Sequence, residues 1–117
     1  MSSSEKLKLV KNEYRDTDYV VEVGPLRCIV ICPVTDREDY NEVYIRYIPD
    51  EYIVDYISLK RYISELRGKY FIEELANKIY REIKEVLKPK YLRVVVEGMM
   101  SSGMNMRVVV DSEGVVR

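Results

Sequence analysis

Apolar residues along the chain first alternate, then recur at helical spacing, then alternate again. Asp18 to Val23 (DYVVEV) reads as a strand, and Gly24-Pro25 reads as a turn. Leu26 to Cys32 (LRCIVIC) is a mostly apolar run of strand length, expected to be buried on both faces. Pro33 cannot donate to a ladder and should end that strand. Residues 33–39 (PVTDRED) read as a polar loop. From Glu42 to Ile48, Val43, Ile45 and Tyr47 alternate with Tyr44, Arg46 and Ile48, and Pro49-Asp50 closes this second strand. Tyr56, Leu59, Ile63 and Leu66 then recur at helical spacing, with Gly68 as the expected C-cap. A second helical stripe carries Ile72, Leu75, Ala76, Ile79, Ile83 and Val86, and Pro89 stops it. Leu92 to Val96 and Met104 to Val110 read as a hairpin about a Gly/Ser/Met turn. Strands, two helices and strands again predict an α+β fold with both helices on one face of an antiparallel sheet. The polar residues 1–13, with Lys6, Lys8 and Lys11, read as a mobile arm ahead of a single domain at 14–117.

Composition narrows the function classes. The 117 residues are 47% hydrophobic, enough for one modest core, and a chain this short gains stability by oligomerising. A net charge of -1 with 33% charged residues excludes a globally basic nucleic-acid binder and leaves a local basic face open. No run reaches the ~18 apolar residues of a membrane span, and MSSSEKLKLV lacks the apolar segment of a signal peptide. A cytoplasmic protein is the expectation. With two cysteines and no histidine, a Cys/His metal site and a His-based triad both lack their material. Cys28 and Cys32, four apart on one strand, point the same way and lie too far apart to bridge.

Cys32 opens the polar loop, where a substrate can reach it. The loop adds Asp36, Glu38 and Asp39, and a carboxylate beside a thiol can exchange protons during nucleophilic attack. These acids raise a thiol's pKa unless a positive group such as Arg37 offsets them. Spacing alone reads CIVIC as two core thiols.

The wider pattern is more specific. Cys-Pro-Val-Thr at 32–35, Asp39 seven residues on, Tyr47-Ile-Pro-Asp-Glu51, Ser58-Leu59-Lys60 and Tyr62 fall in one order, followed by Arg67, Phe71, Glu73 and Pro89-Lys90-Tyr91. Together they resemble the nitrile reductase family of queuosine biosynthesis, QueF, over about residues 26–110. The resemblance implies the tunnelling fold, whose subunits close into rings with sites at subunit interfaces, here a homopentamer or a homodecamer of two stacked rings. It implies that Cys32 attacks the nitrile carbon of 7-cyano-7-deazaguanine to form a thioimide, and that Asp39 protonates the nitrile nitrogen. It places Glu73 on the amide and amino edge of the base, where a carboxylate can accept two parallel N–H bonds. Val54, Asp55 and Tyr56 match the segment touching the base, and Ile72 precedes the substrate-holding Glu73.

The departures are equally informative. Where the reductases carry Lys, His and Arg, this chain carries Ile57, Ile72 and Ser101. Lys and Arg contacts to phosphate are charge-assisted and worth roughly 1.5–3 kcal/mol each, so their loss undercuts NADPH binding, although Lys60 remains. The pattern is similar to the archaeal QueF-like subfamily of amidine-forming archaeosine synthases. That resemblance implies a nitrile-bearing tRNA as partner, ammonia as co-substrate and no redox cofactor. The alternative is an NADPH-dependent nitrile reductase. For the tRNA, the second helix offers Lys78, Arg81, Lys84 and Lys88. Glu82 and Glu85 interrupt that set, so sequence alone favours a salt-bridged surface there.

Overall fold

Strict alternation over long strands builds one sheet, and the two amphipathic helices cover one side of it. The computed structural model of the chain describes residues 3–115. A 3₁₀ turn at Ser3–Lys6 leads into β1 (Leu9–Lys11), β2 (Val21–Ile31), β3 (Glu38–Ile48), β4 (Tyr52–Val54), α1 (Tyr56–Ser64), α2 (Ile72–Leu87), β5 (Tyr91–Met99) and β6 (Asn105–Asp111). The main sheet is antiparallel throughout, in the order β2-β3-β5-β6, and β1 pairs with β4 separately.

β2 and β3 together show how the core is laid. Leu26, Cys28 and Val30 on β2 and Val43, Ile45 and Tyr47 on β3 are buried. They meet Leu59, Tyr62 and Ile63 of α1 and Leu75, Ala76, Ile79 and Ile83 of α2. The opposite faces of the strands carry charges in register. Glu22, Arg46, Arg93 and Asp111 form one cross-strand row, and Arg27, Glu42, Glu97 and Arg107 form another. Four ion pairs of 3.1–3.7 Å run along these rows.

Five sequence expectations change. The two expected strands and the turn between them are one strand. Its register shifts between Val23 and Leu26, because Gly24-Pro25 forms a bulge instead of a turn. Proline has no N–H for the ladder, and Gly24 has φ 153° and no room for a Cβ, which would sit 2.6 Å from Tyr44 Cδ1. LRCIVIC is covered on one face only, with Arg27 and Ile29 exposed, since the helices occupy a single side of an antiparallel sheet. The polar loop is shorter than residues 33–39, because β3 begins at Glu38 and takes in Asp39. α1 ends at Ser64 with Glu65 as its cap, so Gly68 lies in the connection beyond.

The fifth change concerns residues 1–13, read as a mobile arm. Leu7 enters the core, Lys8 N donates to Ser58 Oγ at 3.0 Å, and β1 pairs in register with β4. Asn12 is buried, its side chain donating to Asp50 O and accepting from Tyr14 N and Tyr19 Oη. Residues 1 and 2 lie outside the described residues.

Candidate active site

β2 delivers Cys32 as the first residue past its end, and the chain folds back at once. Cys32 N donates to Arg37 O at 2.8 Å, Asp36 N donates to Cys32 O at 2.9 Å, and Asp36 adopts the left-handed conformation (φ 59°) that this closure needs. The loop is tied to the connection between the helices. Ile31 N donates to Gly68 O, Tyr70 N donates to Ile31 O, and Lys69 pairs with Asp36 at 2.7 Å. The segment entering α2 is therefore held beside Cys32.

Cys32 is half-buried and free. Its pKa is lowered, first by the Thr35 hydroxyl and then by the Thr35 and Val34 amides; burial and the charge of Asp39 oppose this. Of the two sequence candidates for this effect, Arg37 and a residue of an adjacent subunit, Arg37 is not among the causes within one copy, which are neutral donors. A lowered pKa raises the thiolate fraction at neutral pH, and the thiolate is the nucleophile. Cys28 differs sharply. Burial pushes its thiol up to about 11, so it is a core residue in this environment.

Asp39 is buried on β3 opposite Val30, and its Oδ1 accepts the Ser101 backbone N–H at 2.7 Å. Among the described residues Oδ2 has no hydrogen-bond partner. Two residues along, Asn41 Nδ2 donates to Asp39 O at 3.2 Å, while the buried Asn41 Oδ1 has no partner. Sequence reasoning passed over Thr35 as an individual group and over Asn41; the hydroxyl three residues after the thiol was the available signal for Thr35.

The predicted binding residues divide between two ends of the molecule. Ile72 is buried at the start of α2, and its Cδ1 lies 3.4 Å from where a Cβ on Gly98 would stand. Glu73 follows, exposed in the first turn. Glu74 takes the capping bond from Phe71 N at 3.0 Å, and the Glu73 carboxylate has no partner among the described residues. Glu73 borders a shallow depression of about 460 Å³ with Tyr70, Asn77 and Arg81. Cys32, Asp39, Ile72 and Glu73 thus share the end where β2 finishes and β3 begins.

Val54, Asp55 and Tyr56 do not join them. Val54 N donates to the Tyr47 hydroxyl at 3.2 Å, and Tyr47 stands eight residues along β3 from Asp39. At ~3.3 Å per residue this is roughly 25 Å along the strand. Asp55 is the N-cap of α1, accepting from Ser58 N at 3.0 Å, and Tyr56 is exposed. A single copy therefore presents the expected site as two separated halves.

The QueF-like protein family matches residues 38–115 of the chain. A protein of Aquifex aeolicus named NADPH-dependent 7-cyano-7-deazaguanine reductase is 36% identical over 91 residues, covering 77% of this chain and 70% of its own. A protein of the same name from Pelodictyon phaeoclathratiforme is 32% identical over 106 residues, covering 90% and 91%. The chain belongs to the QueF-like family. Among solved structures it is similar to the archaeosine synthase QueF-Like in its apo form, with a TM-score of 0.71 and 27% identity over 85% of this chain and 96% of that one. FolB from Vibrio cholerae shares the fold at a TM-score of 0.63 and 14% identity, over 81% and 97%. The tunnelling-fold architecture of two helices on an antiparallel sheet is thereby established.

Proposed function

We propose that the protein converts the nitrile of 7-cyano-7-deazaguanine in tRNA to the amidine of archaeosine, using ammonia. The observation that carries the reading is the pairing of an activated Cys32 with a buried Asp39, in a site that lacks the reductases' phosphate-binding cations. In this reaction the Cys32 sulfur forms a C–S bond to the nitrile carbon, and the thiol's proton reaches the nitrile nitrogen through Asp39, giving a thioimide. Ammonia adds to the thioimide carbon and the C–S bond breaks, returning the thiol. The sum is nitrile plus ammonia to amidine, with no change of oxidation state. Glu73 is free to accept the base's N–H groups, and Val54, Asp55 and Tyr56 of a neighbouring copy would close the site from the other side.

Three features support this over hydride delivery. Ile57 stands exposed where the reductases have Lys, Ile72 is buried against Gly98, and Ser101 is engaged with Asp39 instead of offering an Arg. The structural similarity to an archaeosine synthase agrees. The names of the sequence relatives favour the NADPH-dependent reductase as the second reading, for which exposed Lys60 would be the remaining cation. To separate the two, the protein is incubated with nitrile-bearing tRNA and either ammonium or NADPH. The expected result is an amidine with ammonium and, without it, a covalent adduct at Cys32 that Cys32→Ala abolishes. NADPH oxidation with a primary-amine product would overturn the reading.

A further inference from the structure

Glu82 and Glu85 interrupt the cations of α2 in the sequence, but the fold withdraws Glu82 from the surface. Its side chain is 16% exposed, and its Oε1 accepts the Tyr62 hydroxyl at 2.7 Å and lies 3.4 Å from Lys78 Nζ. Lys78 is thereby neutralised. Arg81, Lys84 and Lys88 are exposed and form no ion pair among the described residues. Glu85 is exposed beside them and is paired with none of the three, so positive charge stays in surplus there. Asn77, Arg81, Lys84 and Lys88 follow one another at intervals of four, three and four residues, which sets them in one stripe along α2 and its C-cap. The stripe starts at the candidate site. Asn77 Nδ2 donates to Glu73 O at 2.9 Å, and Arg81 borders the depression beside Glu73. Lys84 Nζ lies 5.5 Å from the centre of the Tyr80 ring.

We infer that Arg81, Lys84 and Lys88 form a docking track for the tRNA backbone that flanks the nitrile base. Charge complementarity carries this. Phosphates are the anions that a row of unpaired, exposed cations meets best, and on a chain of net charge -1 such attraction has to be local. Length agrees. From Arg81 to Lys88 is about 10 Å of helix, and successive phosphates of one strand stand ~3.4 Å apart along a duplex axis, so about three of them fit the run. Position agrees as well, because the stripe leads away from Glu73, the carboxylate to which the proposed reaction assigns the base. The track has this role only if the nitrile base sits in tRNA, as proposed above.

The test reads tRNA affinity against salt. The intact protein binds a labelled tRNA transcript, and the dissociation constant is followed by fluorescence anisotropy from about 50 to 200 mM potassium chloride. Each phosphate neutralised contributes roughly 0.7–0.9 to the log–log salt slope, so Arg81→Gln/Lys84→Gln/Lys88→Gln should lower the slope by about 2–3 units and weaken binding at low salt by about tenfold or more. Lys8→Gln/Lys11→Gln removes two exposed lysines from the N-terminal segment and should leave the slope within about half a unit of wild type. If the triple variant fails to fold, Lys84→Gln/Lys88→Gln carries the same test, with a drop of about 1.4–1.8 units expected. That double variant changes residues beyond the depression, so free 7-cyano-7-deazaguanine should still form the Cys32 adduct at the wild-type rate, while amidine formation on subsaturating nitrile-bearing tRNA slows. An unchanged slope in the triple variant, or a drop of the same size per charge in Lys8→Gln/Lys11→Gln, would overturn the inference. So would a changed oligomeric mass in the triple variant, which would give the stripe to a second copy of the chain. An unchanged slope with amidine still formed on tRNA would sink the track alone. A wild-type protein that forms the adduct on the free base and binds no tRNA would sink the proposed function with it.

Discussion

At the scale of single residues, two cysteines four positions apart have opposite chemistry, which their spacing alone does not show. Spacing alone gave both the look of core thiols, which is right for Cys28. Cys32 escapes because the strand ends beside it and its pKa is lowered by the Thr35 hydroxyl and the Thr35 and Val34 amides. Cys28 should therefore resist alkylation at pH 7–9 while Cys32 reacts, and peptide mapping after timed exposure checks this. Linkage makes a second prediction. The Cys28 thiol ionises near 9.0 when unfolded and near 11 when folded, so the folded state holds the proton more tightly. Stability is unaffected below pH 9 and falls as pH rises towards 11, by up to ~3 kcal/mol from this group. In urea titrations Cys28→Ala should show a flatter decline over that window. Gly98 and Asn41 form a third case that the sequence conceals, being partners across β3 and β5. A Cβ on Gly98 would stand 2.5 Å from the unpartnered Asn41 Oδ1, so Gly98→Ala should cost about 1–3 kcal/mol. Gly98→Ala should be tolerated better with Asn41→Ala, which removes the Oδ1 contact and an unpaired acceptor and leaves only the flexible end of Met100, also 2.5 Å from that Cβ, to move aside, and a double-mutant cycle of denaturation energies measures the relief.

At the scale of elements, both helices and the β3, β5 and β6 strands are legible because their apolar periods run for two turns or more, or for five or more strand residues. The errors fall where the local signal is short or points two ways. Gly24-Pro25 carries turn chemistry, yet flanking strands that share a partner in β3 draw it into a bulge. β1 is three residues long among lysines, and its pairing with β4 is a contact across more than forty residues that no local pattern encodes. Here packing overrides composition, and Leu7 tests it. Leu7→Ala should destabilise the fold by about 2–3 kcal/mol, since it removes a buried side chain from the core, whereas Val10→Ala, at an exposed position on the same segment, should change stability by less than about 0.5 kcal/mol. Equal and negligible effects in thermal melts would mean that the segment is not packed as described.

At the scale of the whole molecule, the site residues that sequence resemblance gathers into one set are held at two ends of a rigid sheet. No local signal could show this, since β3 alone sets the separation. Large apolar side chains are exposed at both ends. Val34, Tyr40, Phe71 and Met99 lie near Cys32, while Val10, Tyr52, Tyr56 and Ile57 lie around the start of α1. Two different patches at opposite ends suit a head-to-tail contact, which closes into a ring when the rotation allows. In such a ring each active site takes Cys32 from one copy and Tyr56 from the next. Variants Cys32→Ala and Tyr56→Ala would each be impaired in the amidine-forming assay as pure proteins. Mixed at equal amounts and reassembled from denaturant, they would form some interfaces in which the Tyr56→Ala copy supplies an intact Cys32 and the Cys32→Ala copy supplies an intact Tyr56. Random assembly gives about one quarter of head-to-tail interfaces this composition, so the mixture should recover about one quarter of wild-type activity. If both halves instead come from one copy, mixing restores nothing, and the activity stays at the average of the two pure variants.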